Sequence, residues 1–393
     1  MVFIWPVQND RKRVKQLNKK NVFQSAGFTS IVASVISIMC GLIIGMILLF
    51  LFDADHALYG MKSMLTAGLS SKAKFAKVLY QSAPLIMAGL SVGFAFKTGL
   101  FNIGATGQYT VGACAALIVG IVFQMPWWVA LIASMIAGAV WGLFPGLFKA
   151  YFNVNEVITA IMFNWIGLFA VNLIFANVPS VLANFYGATN ADRTAALESA
   201  NPGAIIPKAG LDVLLESNYM NISIFIAIGF AIIMYIILNK TVFGYELKAC
   251  GHNRNASEYA GIDSKRNIIL SMVIAGALAG IGGGIYYLAG TGQYTIEKSL
   301  LAMGFNGIPV ALLATSNPIG TILSAIFISY IQVGGDAMQP EFAKETIDII
   351  IAVIIYLSAF SLLMKELITS AFSRKRRASA ASDTDGGKED EQK

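Results

Sequence analysis

Residues 30–52 read SIVASVISIMCGLIIGMILLFLF, a run without a single Asp, Glu, Lys, Arg or His. A helix rises about 1.5 Å per residue, so roughly 20 apolar residues cross the hydrocarbon of a bilayer. The run is too long for the apolar core of a signal peptide, and DADH follows it rather than small residues. It is therefore expected to be retained as a first span. Working outward from it, further apolar runs place about ten spans: 29–52, 79–97, 103–124, 127–149, 156–178, 221–239, 266–290, 300–315, 318–335 and 346–367.

Composition agrees. Of 393 residues, 56% are hydrophobic and 13% charged, with mean hydropathy +0.67. A soluble domain carries roughly 25% charged residues. The expected fold is all-α, a polytopic membrane protein. A basic leader, 1–28, precedes a transmembrane domain, 29–367, and a polar tail, 368–393, reads as disordered. With the N-terminus inside and ten alternating spans, 20 of the 28 Lys and Arg fall on the inner side. That asymmetry obeys the positive-inside rule. It puts both termini and the loop 240–265 in the cytoplasm and the connection 179–220 outside. The basic pI then reports topology in a lipid bilayer and gives no reason to expect nucleic acid.

Several chemistries have no basis in the sequence. Cys40, Cys114 and Cys250 have neither metal-site nor disulfide spacing, and His56 and His252 are far apart. No catalytic group, metal centre or cofactor is expected. No GxxxxGK[ST] phosphate loop occurs, so ATP is not bound by that route. No Asp, Glu, Lys, Arg or His sits in the middle of a span; Lys97, Lys149 and Glu156 are at ends. Proton-coupled carriers usually need such groups inside the membrane.

The phrase TGQYT occurs twice, at 106–110 and 291–295. Five spans separate the copies, and an odd number turns the second half upside down. One reading is an inverted-topology repeat of spans 2–5 and 7–10, with a substrate path at its interface. The other is the same turn chemistry used twice.

Each copy neighbours a helix break. FKTGLFNIGATGQYTVGACAA (96–116) carries Gly99, Gly104, Gly107 and Gly112, and LAMGFNGIPVALLATSNPIG (301–320) carries Gly304, Gly307, Pro309 and Pro318. Irregular backbone at membrane depth survives only when buried in protein or lining a cavity. Phe101, Asn102, Thr106 and Gln108 cluster at the first break, and Phe305, Asn306, Thr315, Ser316 and Asn317 at the second. Amides give donors and acceptors and rings give stacking faces, which suits an uncharged, hydroxylated solute. Helix capping and interhelical bonding by the same amides is the competing reading. The inner loop NKTVFGYELKACGHNRNASEYAGIDSKR (239–266) reads as short helices, with Phe243, Leu247 and Ala249 on one side and Asn255 capping a second piece that ends at Gly261. It suits either docking of a cytoplasmic engine or contact with anionic lipid.

Three ordered motifs, GLFNIGATGQ, TVFGYELKACGHNRNASEYAGID and GFNGIPVALLATSNPIG, resemble the permeases of ATP-binding-cassette importers of the branched-chain amino acid, ribose and nucleoside group. The resemblance runs from about residue 78 to 367, and the wording looks most like nucleoside permeases. It implies a type II importer: separate ATP-binding subunits, a second and often different permease subunit, and an extracellular substrate-binding lipoprotein, in a bacterial cell membrane. It implies ATPase coupling at Thr241, Gly244, Leu247, Ala249, Gly251, Asn253, Ala256 and Gly261. The substrate path is expected along Phe101, Asn102, Gly104, Thr106, Gln108, Phe305, Asn306 and Gly307. The chain departs from the family pattern at Thr106, where Glu is common, and at Asn306, where Asp is common. Two rivals remain open: a permease for a simple sugar or branched-chain amino acid, and a self-sufficient carrier or facilitator for a neutral solute.

Overall fold

The computed structural model describes residues 26–358 apart from 190, 191, 297 and 340, together with 360 and 366. The tail 368–393, and all but the last residues of the leader, lie outside the described residues. The principal helices are α1 (Ala26–Phe52), α2 (Ala57–Thr66), α3 (Lys72–Lys97), α4 (Ala105–Leu117, prolonged by a π-turn, Ile118–Val122), α5 (Trp127–Phe152), α6 (Glu156–Asn177) and α7 (Ser223–Lys240). They continue as α8 (Val242–His252), α9 (Arg254–Tyr259), α10 (Ser264–Leu288), α11 (Ala302–Phe305), α12 (Gly307–Leu313), α13 (Pro318–Asp336) and α14 (Lys344–Ser358). No strand occurs among the described residues; the two isolated bridges, Leu182–Thr194 and Arg193–Thr295, tie loops together.

Short polar side chains begin these helices by accepting from orphan backbone N–H groups, as capping requires. Ser71 accepts from Lys74 N at α3, Asn155 from Val157 N at α6, Asp263 from Arg266 N at α10, and Asn317 from Ile319 N at α13. At the end of α5, Asn153 takes φ 52° and closes the helix with a left-handed residue.

Among the described residues, eight helices are long and apolar enough to cross a membrane: α1, α3, α4 with its π-turn, α5, α6, α7, α10 and α13. The expected span 300–315 is not one continuous helix. That stretch forms two short helices, α11 and α12, joined at Asn306, because Gly304, Gly307 and Pro309 do not sustain one long helix. Of the tenth span, α14 is described as far as Ser358.

The core is organised by α3 and α10. Their apolar windows are 89% and 72% buried, against 22% for α1 at the periphery. Small residues make this density possible. Ser134, Gly138 and Gly142 on α5 meet Gly280 and Gly276 on α10 backbone to backbone: a Cβ added at Gly138 would lie 2.3 Å from the Gly276 carbonyl oxygen. Such small-xxx-small faces are how membrane helices gain dispersion contacts where no hydrophobic effect drives them together. On the other side, α3 packs on α12 and α13. A Cβ at Gly89 would strike Val310, and one at Gly307 would lie 2.6 Å from the Ala88 carbonyl carbon.

The two TGQYT copies do not share a conformation. Thr106–Thr110 forms the first turns of α4, whereas 291–295 is irregular and pairs through Thr295 with Arg193. The pentapeptide therefore marks no structural repeat.

Candidate translocation path and coupling segment

The first break is built from bonds that end α3 and start α4. Thr98 N donates to Phe94 and Ala95 carbonyls, and Gly99 then takes φ 76°, which turns the chain without a Cβ penalty. Asn102 and Gln108, both fully buried, bond to each other: Asn102 Nδ2 donates to Gln108 Oε1 at 2.8 Å and Gln108 Nε2 returns to Asn102 Oδ1 at 3.2 Å. Asn102 Nδ2 also reaches Ser91 Oγ at 3.0 Å. The amides are satisfied within the protein, as buried polar groups must be. Phe101, half-buried, stacks on Phe96 with ring centroids 4.9 Å apart.

A residue that the sequence reading passed over fixes this break. Asn164, in the middle of α6, accepts from Gly107 N at 2.8 Å and donates to Ile103 O at 3.1 Å. It pins the irregular stretch on both sides of Gly104. An amide in the apolar run AIMFNWIGLF was the available signal.

The two breaks meet. A Cβ added at Gly304 would lie 2.4 Å from Thr106 Cα, so α11 lies directly against the start of α4. At this seam the Thr106 hydroxyl is buried with no hydrogen-bond partner. Phe305 and Asn306 follow, half-buried, and Gly307 is buried against Ala88. Beyond α12, Thr315 and Ser316 hold φ 50° and 54°. Such left-handed residues cost on the order of 1–3 kcal/mol each and persist only where surroundings impose them. Ser316 N donates to Ala311 O at 2.7 Å, and Asn317 then caps α13.

The residues expected to serve ATPase coupling form a corner. Thr241 Oγ1 accepts from Gly244 N at 3.0 Å and donates to Ile237 O at 2.6 Å, while a Cβ at Gly244 would lie 2.0 Å from that same carbonyl oxygen. Leu247 is buried, and Ala249 partly so. Asn253, not Asn255, caps α9: its Oδ1 accepts from Ala256 N at 3.0 Å. The correction has a simple cause, since Asn253 has the extended backbone of an N-cap (φ −155°) and Asn255 lies inside the helix. Ala256 and Gly261 are exposed, and Gly261 (φ 83°) turns the chain toward α10. Glu258 is bonded by Ser264 Oγ and by Arg254 Nε at 3.2 Å, which holds its carboxyl below the usual range.

Gly251 ties the two sites together. A Cβ there would lie 2.5 Å from the Thr98 carbonyl carbon, and one at Gly99 would lie 2.4 Å from Gly251 Cα. Backbone rests on backbone, with no side chain between them to absorb a displacement. Thr98 Oγ1 is bonded to Ser271 Oγ on α10 as well. α8 and the turn from which the first break starts are thus in direct backbone contact. Among the described residues no three His, Cys, Asp or Glu side chains cluster to hold a metal ion.

A family model described as a branched-chain amino acid transport system permease component matches residues 75–359. The guanosine ABC transporter permease protein NupP of Bacillus subtilis is 38% identical over 292 residues, 72% of this chain and 80% of the relative. The nucleoside ABC transporter permease protein NupB of Lactococcus lactis is 34% identical over 349 residues, 87% of this chain and 94% of its own. The glucose ABC transporter permease protein TsgB13 of Haloferax volcanii is 28% identical over 90% of both chains. No solved structure matches. The extent of the family match and of the first two relatives, together with a glycine-broken helical bundle and its interfacial loop helices, leads to one conclusion: the chain belongs to the permease components of ATP-binding-cassette transport systems.

Proposed function

We propose that the chain is the permease subunit of an importer for nucleosides, driven by separate ATP-binding subunits that dock on α8 and α9. The carrying observation is the contact of Gly251 with Thr98 and Gly99, which makes the coupling corner and the first break one mechanical unit. The permease itself performs no chemistry and uses no cofactor. In this reading the seam between Thr106 and Gly304 opens to pass the solute. Asn102 and Gln108, bonded to each other, form a fixed wall with Phe101 and Gly104. The unmet Thr106 hydroxyl, with Asn306, Phe305 and Gly307 opposite, meets the cargo. A solute handed over by a binding protein needs only such transient contacts.

The cargo class is supported by the names of NupP and NupB and by the neutral amides and rings at the breaks. A second, different permease subunit is supported by more distant relatives in the same two organisms, NupQ and NupC. An extracellular lipoprotein would deliver the solute to the connection 179–220. In this reading the protein sits in a bacterial cell membrane with both termini cytoplasmic, the orientation that the Lys and Arg asymmetry favours.

The test is uptake of radiolabelled guanosine by cells carrying the chain and its partner subunits. Unlabelled adenosine or uridine should compete, and excess glucose or leucine should not. Competition by glucose alone would make the chain a sugar permease. Topology has its own check: an impermeant thiol reagent should label Arg193→Cys in intact cells and leave Cys250 untouched. The reverse pattern would overturn the orientation.

A further inference from the structure

A line of tyrosines runs inward from the end of the bundle opposite the coupling corner. Tyr286 stands in the last turn of α10, and Tyr80 in the half of α3 farther from Lys97. Their ring centroids are 6.4 Å apart with planes 29° from parallel, and Tyr219, from the connection 179–220, leans on Tyr80 at 5.7 Å. Exposed Thr291 donates to the Tyr80 hydroxyl at the rim. Exposure falls along the line: Tyr219 is 42% exposed, Tyr286 half-buried, Tyr80 7% exposed and Tyr109 of α4 only 1%. Tyr109 Cδ2 lies 3.4 Å from where a Cβ on Gly282 would stand, one turn before Tyr286 on α10. The Tyr109 ring therefore sits beneath Tyr286, with Tyr80 and Tyr287 also in electrostatic range. Its hydroxyl is buried and has no hydrogen-bond partner among the described residues. The same is true of Thr106, three positions earlier on the same helix and so its neighbour on the helix surface. A buried hydroxyl left unbonded is a net cost to folding, and a visiting ligand is one reason to keep it. Pro84 follows Tyr80 by one turn and has no N–H, so the Tyr80 carbonyl lacks its helical donor and α3 can bend there to part the rings.

We propose that these tyrosines form a ring-binding station on the way to the Thr106 seam. A planar heteroaromatic base stacks on Tyr80 and Tyr286, and the Tyr109 hydroxyl bonds its polar edge. The inference rests on the nucleoside reading above and adds to it the side chains that would read the base. Aromatic faces suit such a solute because they bind flat rings by stacking, while their hydroxyls supply the polar contacts. From the station the cargo passes along α4 from one unbonded hydroxyl, Tyr109, to the next, Thr106.

The test is the rate of uptake at saturating guanosine, by cells carrying the chain and its partner subunits, beside thermal unfolding of each purified variant. Tyr109→Phe keeps the ring and removes a hydroxyl that bonds nothing among the described residues. It should unfold at the same temperature or higher, yet take up guanosine roughly fivefold more slowly, the worth of one hydrogen bond. Tyr286→Leu should slow uptake several-fold, and Tyr286→Phe, which keeps the stacking face, should not. Should Tyr286→Leu not fold, Tyr109→Phe decides alone. Uptake by Tyr109→Phe at the unsubstituted rate would overturn the station, and so would slower uptake accompanied by lower thermal stability. Equal rates in folded Tyr286→Leu and Tyr286→Phe would overturn it too. If cells with the unsubstituted chain take up no guanosine, the nucleoside reading itself fails and the station with it. Normal uptake there, with the variants unaffected, removes the station alone.

Discussion

At 106–110 the letters TGQYT form the opening turns of α4, with every residue buried and Gly107 N held by Asn164. At 291–295 the same letters run without helix past Gly290 (φ 80°) at the other end of the bundle. There Thr291 is exposed and bonds Tyr80, and Tyr294 donates through its N–H to Thr194 Oγ1 and through its hydroxyl to Asn172 Oδ1. What differs is the neighbourhood. The first copy is followed by VGACAALIVG, an apolar run that must satisfy its backbone internally and so continues as helix. The second is followed by IEKSL, which has no such need at the water boundary. Five identical residues fold by depth and by what comes next.

The strongest way to break this comparison is to add one methyl group to each copy. At Gly107 a Cβ would lie 2.9 Å from Asn164 Cα and 3.1 Å from Phe163 O, which are backbone atoms; at Gly292 it would meet the edge of the Tyr286 ring at 3.1 Å. Gly107→Ala should destabilise the purified permease by about 1–3 kcal/mol, the range for overpacking, and abolish most uptake. Gly292→Ala should leave both nearly unchanged. Equal damage from the two would mean that depth does not separate the copies.

A smaller effect sharpens the contrast in hydrogen bonding. Asn164→Ala leaves Gly107 N and Ile103 O without their buried partner and should cost about 1–3 kcal/mol. Asn172→Ala removes a 3.3 Å bond to the Tyr294 hydroxyl and should cost less. Thermal unfolding in detergent, monitored with a thiol-reactive dye at buried Cys114, orders the two. The smallest difference is expected between Thr110→Val and Thr291→Val. Thr110 Oγ1 bonds its own helix at Thr106 O and Thr291 Oγ1 bonds Tyr80 at an exposed position, so each should shift stability by about 1 kcal/mol or less.

Much of this architecture was legible. Charge-free runs located the membrane helices, and paired glycines located both breaks, because apolar length and helix-breaking residues act locally. Three features were not legible. That the second break packs Gly304 on Thr106 and Gly307 on Ala88 depends on contacts across more than a hundred residues of sequence. That Asn102 and Gln108 bond each other depends on the turn between them. The role of Asn164 depends on which irregular segment α6 comes to face. Cap identity failed for a smaller reason: Asn253 and Asn255 are equally good cap residues, and only the end of α8 decides between them.

The central claim is that the coupling corner moves the first break through Gly251. Its most direct test is cargo-stimulated ATP hydrolysis by the reconstituted importer carrying Gly251→Ala, beside uptake in the same vesicles. The added Cβ, 2.5 Å from the Thr98 carbonyl carbon, must push α8 away from the break. The account predicts normal abundance, basal hydrolysis close to the unsubstituted level, and a loss of several-fold or more in both stimulation by nucleoside and uptake. Stimulation and uptake that both stay at the unsubstituted level would contradict it.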